Sequence, residues 1–350
     1  METRARRQGG YRMKIINMKK KIKMLSLCVL CFYFTTGCSG KDKWSEETAK
    51  PLFQADPTIF FEKNTYYLYG TNELDASKGF KVFTSKDCVH WVSPDDGDGY
   101  ALKKGNSFGT TGFWAPQIFF YKDSYYMAYT ANEQIAIAKA SSPLGPFTQS
   151  KIGPLFKDSK YKTIDPYVYF DDDGQIYLYY VKQNGGNNLY GAKLKDDLSG
   201  IEEETEEACI VATEEWENTE NASWPVTEGP TVIKRDGTYY LFYSANDFRN
   251  PDYAVGYATS KSPLGPWEKQ EGPIISRNNL PANGTGHGDI FEGKDKQLYY
   301  VLHTHNDKFQ ATPRRTGIVK LKFTQGKDAP GSFSIDEKSF YYGKEYVKGE

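Results

Sequence analysis

Five short turns along this sequence carry side chains able to do acid–base chemistry. They read Ala55-Asp56-Pro57, Trp114-Ala115-Pro116, Ile164-Asp165-Pro166, Glu228-Gly229-Pro230 and His287-Gly288-Asp289. Taken singly, an aspartate before a proline is ordinary turn chemistry. Ionisable groups at four of five equivalent turns need a further reason. Two carboxyls in different environments can divide the roles of general acid and general base at one pH. A third carboxyl nearby would widen the split by like-charge repulsion. That set suits glycoside hydrolysis, where an acid protonates the departing oxygen and a carboxylate activates water. An aromatic such as Trp114 gives a sugar ring an apolar face to lie on.

Convergence of these turns requires a repeated element. Each turn opens the same pattern: an apolar strand, a polar hinge and a Tyr-rich strand, with copies starting at Pro57, Pro116, Pro166, Pro230 and Asp289. Each copy reads as a β-hairpin, and Asp-Gly at 173–174 and 236–237 is the strongest short hairpin signal. Further strand-like segments lie between the hairpins, at 81–85, 135–141 and 254–260. Two of them run into the same loop sequence, Ser-Pro-Leu-Gly-Pro followed by an aromatic, at 142–147 and 262–267. A period of this length means propeller blades or a solenoid. No helical periodicity separates the strands, which disfavours a parallel α/β sheet. The expectation is an all-β, five-bladed β-propeller with about four antiparallel strands per blade, in preference to a β-sandwich. The innermost strand of each blade starts near the axis, so the five turns meet there. The Tyr-Tyr pairs read as packing between blades.

Composition narrows the partners. The chain has 350 residues, 44 basic and 45 acidic side chains, and a net charge of −1. No basic excess exists to neutralise phosphates, so nucleic acid is not the expected partner. Aromatics at 15% argue against a disordered chain. Basic residues at 19–23 precede an apolar run at 24–37, shorter than the roughly 20 residues that span a bilayer. This reads as a signal peptide. Gly37-Cys38-Ser39 then resembles a bacterial lipoprotein cleavage site, with Cys38 the lipidated residue. The division is therefore 1–38 signal peptide, 39–49 linker and 50–350 a single catalytic domain, tethered to the bacterial cell envelope by lipid alone. Only Cys88 and Cys209 lie in that domain, too few for a disulfide framework or a four-ligand zinc site.

The five turn motifs, in order and in register, resemble glycoside hydrolase family 43, over roughly residues 50–325. The resemblance implies an inverting β-propeller enzyme acting on arabinose and xylose glycosides. It implies Asp56 as general base, Glu228 as general acid, and Asp165 as the residue that orients the acid and raises its pKa. Trp114, with Phe113 a second candidate, matches the family's substrate-stacking aromatic. Arg314 matches an arginine that binds a sugar hydroxyl or pairs with a catalytic carboxylate. His287 matches the axial histidine beneath the sugar, the one protein ligand of a hydrated calcium. Gln117 departs from the pattern, since an acidic residue often follows Trp-Ala-Pro, and an altered subsite contact is expected there. His303 and His305 share one strand face and read as polar strand residues, and the Asp171-Asp172-Asp173-Gly174 run reads as solvated turn chemistry.

Glycine after Glu228 leans toward exo-acting α-L-arabinofuranosidases and β-xylosidases. Endo-1,5-α-L-arabinanase is the alternative, and β-galactofuranosidase activity carries lower weight. A non-catalytic glycan-binding propeller would require loss of an acid or base that this sequence retains. A retaining fructosidase on a related fold would show Asn-Asp-Pro-Asn, Arg-Asp-Pro and Glu-Cys, which are not found at the matching places.

Overall fold

The computed structural model describes residues 44, 46–94, 98–157, 159–327 and 329–346, all within a compact unit spanning Asp42–Glu350. Cys38 and the leader lie outside the described residues. Five antiparallel sheets carry the chain in sequence order. Their innermost strands are Gln54–Glu62, Trp114–Tyr121, Thr163–Phe170, Thr227–Arg235 and Gly286–Glu292, which open blades I to V. Each inner strand neighbours the next, and that of blade V neighbours that of blade I, closing the ring. The protein is a five-bladed β-propeller. Blades III, IV and V have four strands, while I and II have three plus a single further bridge each, Thr84 to Val92 and Lys139 to Thr148.

The hairpins form where the sequence tolerates positive φ. Lys63-Asn64, Lys122-Asp123 and Asp236-Gly237 each place two successive residues at φ between 44° and 70°, the geometry of a type I′ turn. Period-2 alternation then sends the tyrosines between blades. Tyr69, Tyr129, Tyr179, Tyr180, Tyr240, Tyr243 and Tyr300 are fully buried. The two copies of the repeated loop are tied by tyrosine hydroxyls, Tyr69 donating to the Pro143 carbonyl and Tyr179 to that of Pro263.

Two side chains and one short strand make joins that the sequence did not announce. Gln117 donates to the Val168 carbonyl at 3.1 Å and accepts its amide at 2.7 Å, so it clasps blade II to III and makes no subsite contact. Asp171 is not a solvated turn residue. It accepts from Lys234 Nζ at 2.9 Å and from the Tyr239 hydroxyl at 2.5 Å, both on blade IV. Lys344–Glu345 pairs antiparallel with Lys50–Pro51 and parallel with His90–Trp91, tying the end of the ring to its beginning. Cys88 and Cys209 are free thiols.

Candidate active site

Every inner strand begins with the same irregularity. Its register breaks by one residue at the turn motif, between Ala55 and Thr58, Trp114 and Gln117, Ile164 and Tyr167, Glu228 and Thr231, and Gly286 and Gly288. The bulged residues Asp56, Ala115, Asp165, Gly229 and His287 all take positive φ, from 38° to 61°. A bulge re-aims its side chain, and positive φ in a residue with a Cβ is held only where the surroundings enforce it. The pairing also corrects the alignment of the fifth motif. His287 stands in the place of Asp56 and Asp165, with Gly288 in the place of the prolines.

The enforcing contact is a repeated clasp. The amides of four of the five bulged residues donate to a side chain at one position of the preceding blade's second strand. Ala115 donates to Thr71 Oγ1 at 3.1 Å, Asp165 to Thr130 Oγ1 at 2.9 Å, His287 to Ser244 Oγ at 2.7 Å, and Asp56 to His303 Nδ1 at 3.2 Å. The fifth equivalent is Val181, which has no acceptor. The Gly229 amide interacts instead with the Asp165 carboxyl. Asp165 is thereby coupled to the backbone beside Glu228.

The turns converge on a cavity of about 280 Å³ lined by Asp56, Trp114, Ile164, Asp165, Asn187, Val226, Glu228, Asp247, Phe248, His287 and Arg314. Asp56 is the most heavily charged-in carboxylate. Arg314 Nη1 donates to its Oδ1 at 2.9 Å, the Thr71 hydroxyl donates to its Oδ2 at 2.6 Å, and His303 Nδ1 and His287 Nδ1 lie 3.2 and 3.4 Å from Oδ1. Burial raises its pKa, but the Arg314 guanidinium outweighs burial and holds it well below the carboxylate range. Arg314 is itself fixed by Glu73, donating to Oε1 through Nη2 at 2.8 Å and Nε at 3.1 Å, and its guanidinium stacks on Phe248.

Glu228 is in the opposite state. Burial pushes it up to about 7, and repulsion from Asp56 and Asp247 adds to burial. Two donors moderate the rise: the Tyr253 hydroxyl at 2.8 Å from Oε1 and Asn187 Nδ2 at 3.1 Å from Oε2. Burial also raises Asp165 well above its ordinary range, with Glu228 and Asp56 next in effect, and its Oδ2 has no hydrogen-bond partner. The three carboxyls thus form one ionised member and two that resist ionisation.

Trp114 lines the cavity as expected. Phe113 does not. It is fully buried, edge-on to Phe80 and stacked on Tyr129 in the core, just ahead of the strand that Trp114 opens. Phe248 supplies the cavity's second aromatic. The reading of His303 as a mere strand residue also fails: it is buried against Asp56, and its ring stacks on Tyr253 with planes 5° apart. Burial pushes its pKa down to about 3, so the ring is neutral. Sequence reasoning missed Tyr253, Glu73 and Phe248, which come from loops and strand ends with no motif. The one available signal for His303 was its register with Thr71, Thr130 and Ser244.

Below His287 the axis continues as a space of about 20 Å³, lined by Thr58, Gln117, Tyr167, Thr231 and Asp289 among others. That is room for about one water, whereas calcium takes 6–8 oxygens. Asp289 already accepts from Thr58 Oγ1 at 2.6 Å and the Ile290 amide at 2.7 Å. Among the described residues no three His, Cys, Asp or Glu side chains cluster as a metal site. Among the described residues this space therefore offers no cage of protein ligands for calcium.

The family model for glycosyl hydrolases family 43 matches residues 49–327. Among curated relatives, the β-D-galactofuranosidase xynD of Aspergillus niger is 26% identical over 82% of this chain and 84% of its own length. The extracellular exo-α-(1→5)-L-arabinofuranosidase ArbA of Cellvibrio japonicus is 27% identical over 83% of this chain and 88% of its own. Among solved structures, an endo-1,4-β-xylanase from Bacteroides thetaiotaomicron superposes with a TM-score of 0.76 at 36% identity, over 85% of this chain and 98% of that one. A thermostable family-43 glycoside hydrolase follows with 0.72 at 35%, over 81% and 92%. With its five-bladed ring and the matched length of sequence, the chain belongs to glycosyl hydrolase family 43.

Proposed function

We propose that this chain is an inverting, exo-acting glycosidase that releases terminal α-L-arabinofuranosyl or β-D-xylosyl units from plant cell-wall hemicellulose or pectin glycans. One observation carries the reading: two carboxyls in one cavity are displaced in opposite directions, Asp56 down and Glu228 up to about 7. Glu228, protonated, gives its proton to the glycosidic oxygen as the bond to the anomeric carbon breaks. Asp56, ionised, takes a proton from the water that attacks the opposite face. Water's oxygen joins the anomeric carbon, the configuration inverts, and the carboxyls exchange protonation states. Asp165, kept from ionising by burial, holds the Gly229 amide and so steadies the backbone that carries Glu228. Trp114 and Phe248 offer apolar faces to the ring, and Arg314 fixes the base.

The cavity volume of about 280 Å³ suits one glycosyl unit, which favours exo action. Endo action is the second reading, favoured by the similarity to a solved endo-1,4-β-xylanase. Nitrophenyl α-L-arabinofuranoside, β-D-xyloside and β-D-galactofuranoside, beside linear arabinan and xylan, separate these readings. Proton NMR of the first-formed sugar tests inversion, and a retained anomer ends the mechanism. Glu228→Gln should lower kcat by about 10²–10⁴, with much of the loss restored on a dinitrophenyl glycoside that needs no acid. For the leader, we propose lipid attachment at Cys38 and residence at the cell envelope; labelled palmitate incorporated by the wild type and not by Cys38→Ala tests it.

A further inference from the structure

The geometry points to the exposed face of Trp224 as a platform for the sugar on the leaving-group side of the cleaved bond, a binding site that extends the cavity outward past Glu228. This rests on the glycosidase reading above. Trp224 lies two residues from cavity-lining Val226, and its side chain is 48% exposed. Its indole Nε1 donates to Asn187 Oδ1 at 3.1 Å, and Asn187 Nδ2 donates to Glu228 Oε2 at 3.1 Å. The ring is therefore tethered to the carboxyl that would protonate the departing oxygen. Whatever is attached to that oxygen must leave the cavity on the Glu228 side, where the indole stands.

The tether also fixes chemistry. An indole nitrogen is a donor only, so it forces the Asn187 carbonyl outward and the amide nitrogen toward Glu228. One ring thus orients the group that donates to the acid.

The loop that presents Trp224 is held rigid from within. Buried Glu217 accepts the Thr213 and Glu214 amides at 2.6 and 2.8 Å, the Tyr243 hydroxyl at 2.6 Å and Lys269 Nζ at 2.7 Å. Asn218 closes the next turn, accepting the Ala222 amide at 2.8 Å and donating to its carbonyl at 3.0 Å. An exposed aromatic set on a fixed loop beside a pocket binds with little ordering cost. A single exposed apolar side chain on a surface is commonplace. Here the ring is also fixed in direction by a hydrogen bond into the cavity wall, which surface exposure alone does not explain.

The test compares a substrate that reaches the indole with one that does not. The pairs are α-(1→5)-arabinotriose with methyl α-L-arabinofuranoside, and xylotriose with methyl β-D-xyloside, using the pair the wild type cleaves. Trp224→Ala should lower kcat/KM on the trisaccharide about tenfold more than on the methyl glycoside, chiefly through KM. Trp224→Phe keeps a ring but loses the donor to Asn187. It should hold the trisaccharide preference within about threefold of wild type and move the basic limb of the pH profile upward, because the acid loses a fixed donor. Equal losses on both substrates in Trp224→Ala would mean a structural role and overturn the proposal, as would an unchanged trisaccharide rate. Loss of the preference in Trp224→Phe as complete as in the alanine variant would also overturn it. A wild type that cleaves no substrate in either pair overturns the glycosidase reading and this site with it, whereas an active wild type with an unmoved ratio overturns the platform alone.

Discussion

Asp56 and Glu228 carry the same chemical group and are held in opposite protonation states by their neighbours. The consequence is a pH profile. On the proposed mechanism Glu228 acts protonated and Asp56 ionised, so kcat/KM should be flat below the Glu228 pKa and fall tenfold per unit above about 7. Asp56 must be ionised, and its pKa lies below the ordinary 3.8, so no acidic limb should appear above pH 4. A basic limb near 5 would contradict the assignment. Tyr253→Phe removes a donor to the Glu228 carboxylate, destabilises its ionised form and should raise the basic limb. Arg314→Met strips Asp56 of its cation and leaves Glu73 unpaired. Breaking a buried pair costs about 3–5 kcal/mol. The urea midpoint should fall accordingly, and an acidic limb should emerge as the Asp56 pKa rises.

At the scale of the element, the bulge at the head of each inner strand turns five similar strands into five different site residues. Gly229 shows why one of them is glycine. It sits at φ 61°, and a Cβ there would lie 2.8 Å from the His287 ring. Gly229→Ala should cost about 1–2 kcal/mol for the left-handed conformation alone, displace His287 and Glu228, and cut kcat more than tenfold. Ala115→Gly, at the equivalent bulge with φ 45°, is the control. It should keep near-wild-type turnover and stay within about 1 kcal/mol in stability. If both variants behave alike, the close approach of His287 is not what fixes Gly229.

The molecule as a whole converts ring closure into site geometry, since the cavity takes wall residues from every blade. Closure through the inner strands of blades V and I is reinforced at the rim by Lys344–Glu345 between Lys50–Pro51 and His90–Trp91, supported by the Tyr346 amide donating to the Trp91 carbonyl at 2.7 Å. Removing residues 344–350 should lower Tm by several degrees while kcat/KM at low temperature stays close to wild type, because none of the described residues of that segment lines the cavity. Loss of activity without loss of Tm would assign the strand a different role.

The sequence by itself determined the ring and which turn residues meet on its axis. Period-2 strands, hairpin turns and a recurrent turn motif are local features, and local features are written in consecutive residues. That made Asp56, Asp165, Glu228, Trp114 and His287 legible, and the chain's repeats dictated that they meet. Tertiary structure alone decided which side chains surround them. Arg314, expected to bind a sugar hydroxyl or pair with a carboxylate, finds Asp56 across 258 positions, and His303, read as a plain strand residue, reaches it across 247. Tyr253 comes to Glu228 from a loop and Asn187 from the head of a strand, with Trp224 held behind Asn187. Phe113 was misplaced for the same reason: whether a ring faces cavity or core depends on which strand it packs against. A protonation state, likewise, is set by burial and by charges brought near through folding, so two carboxyls that look alike in sequence part ways only when the ring closes.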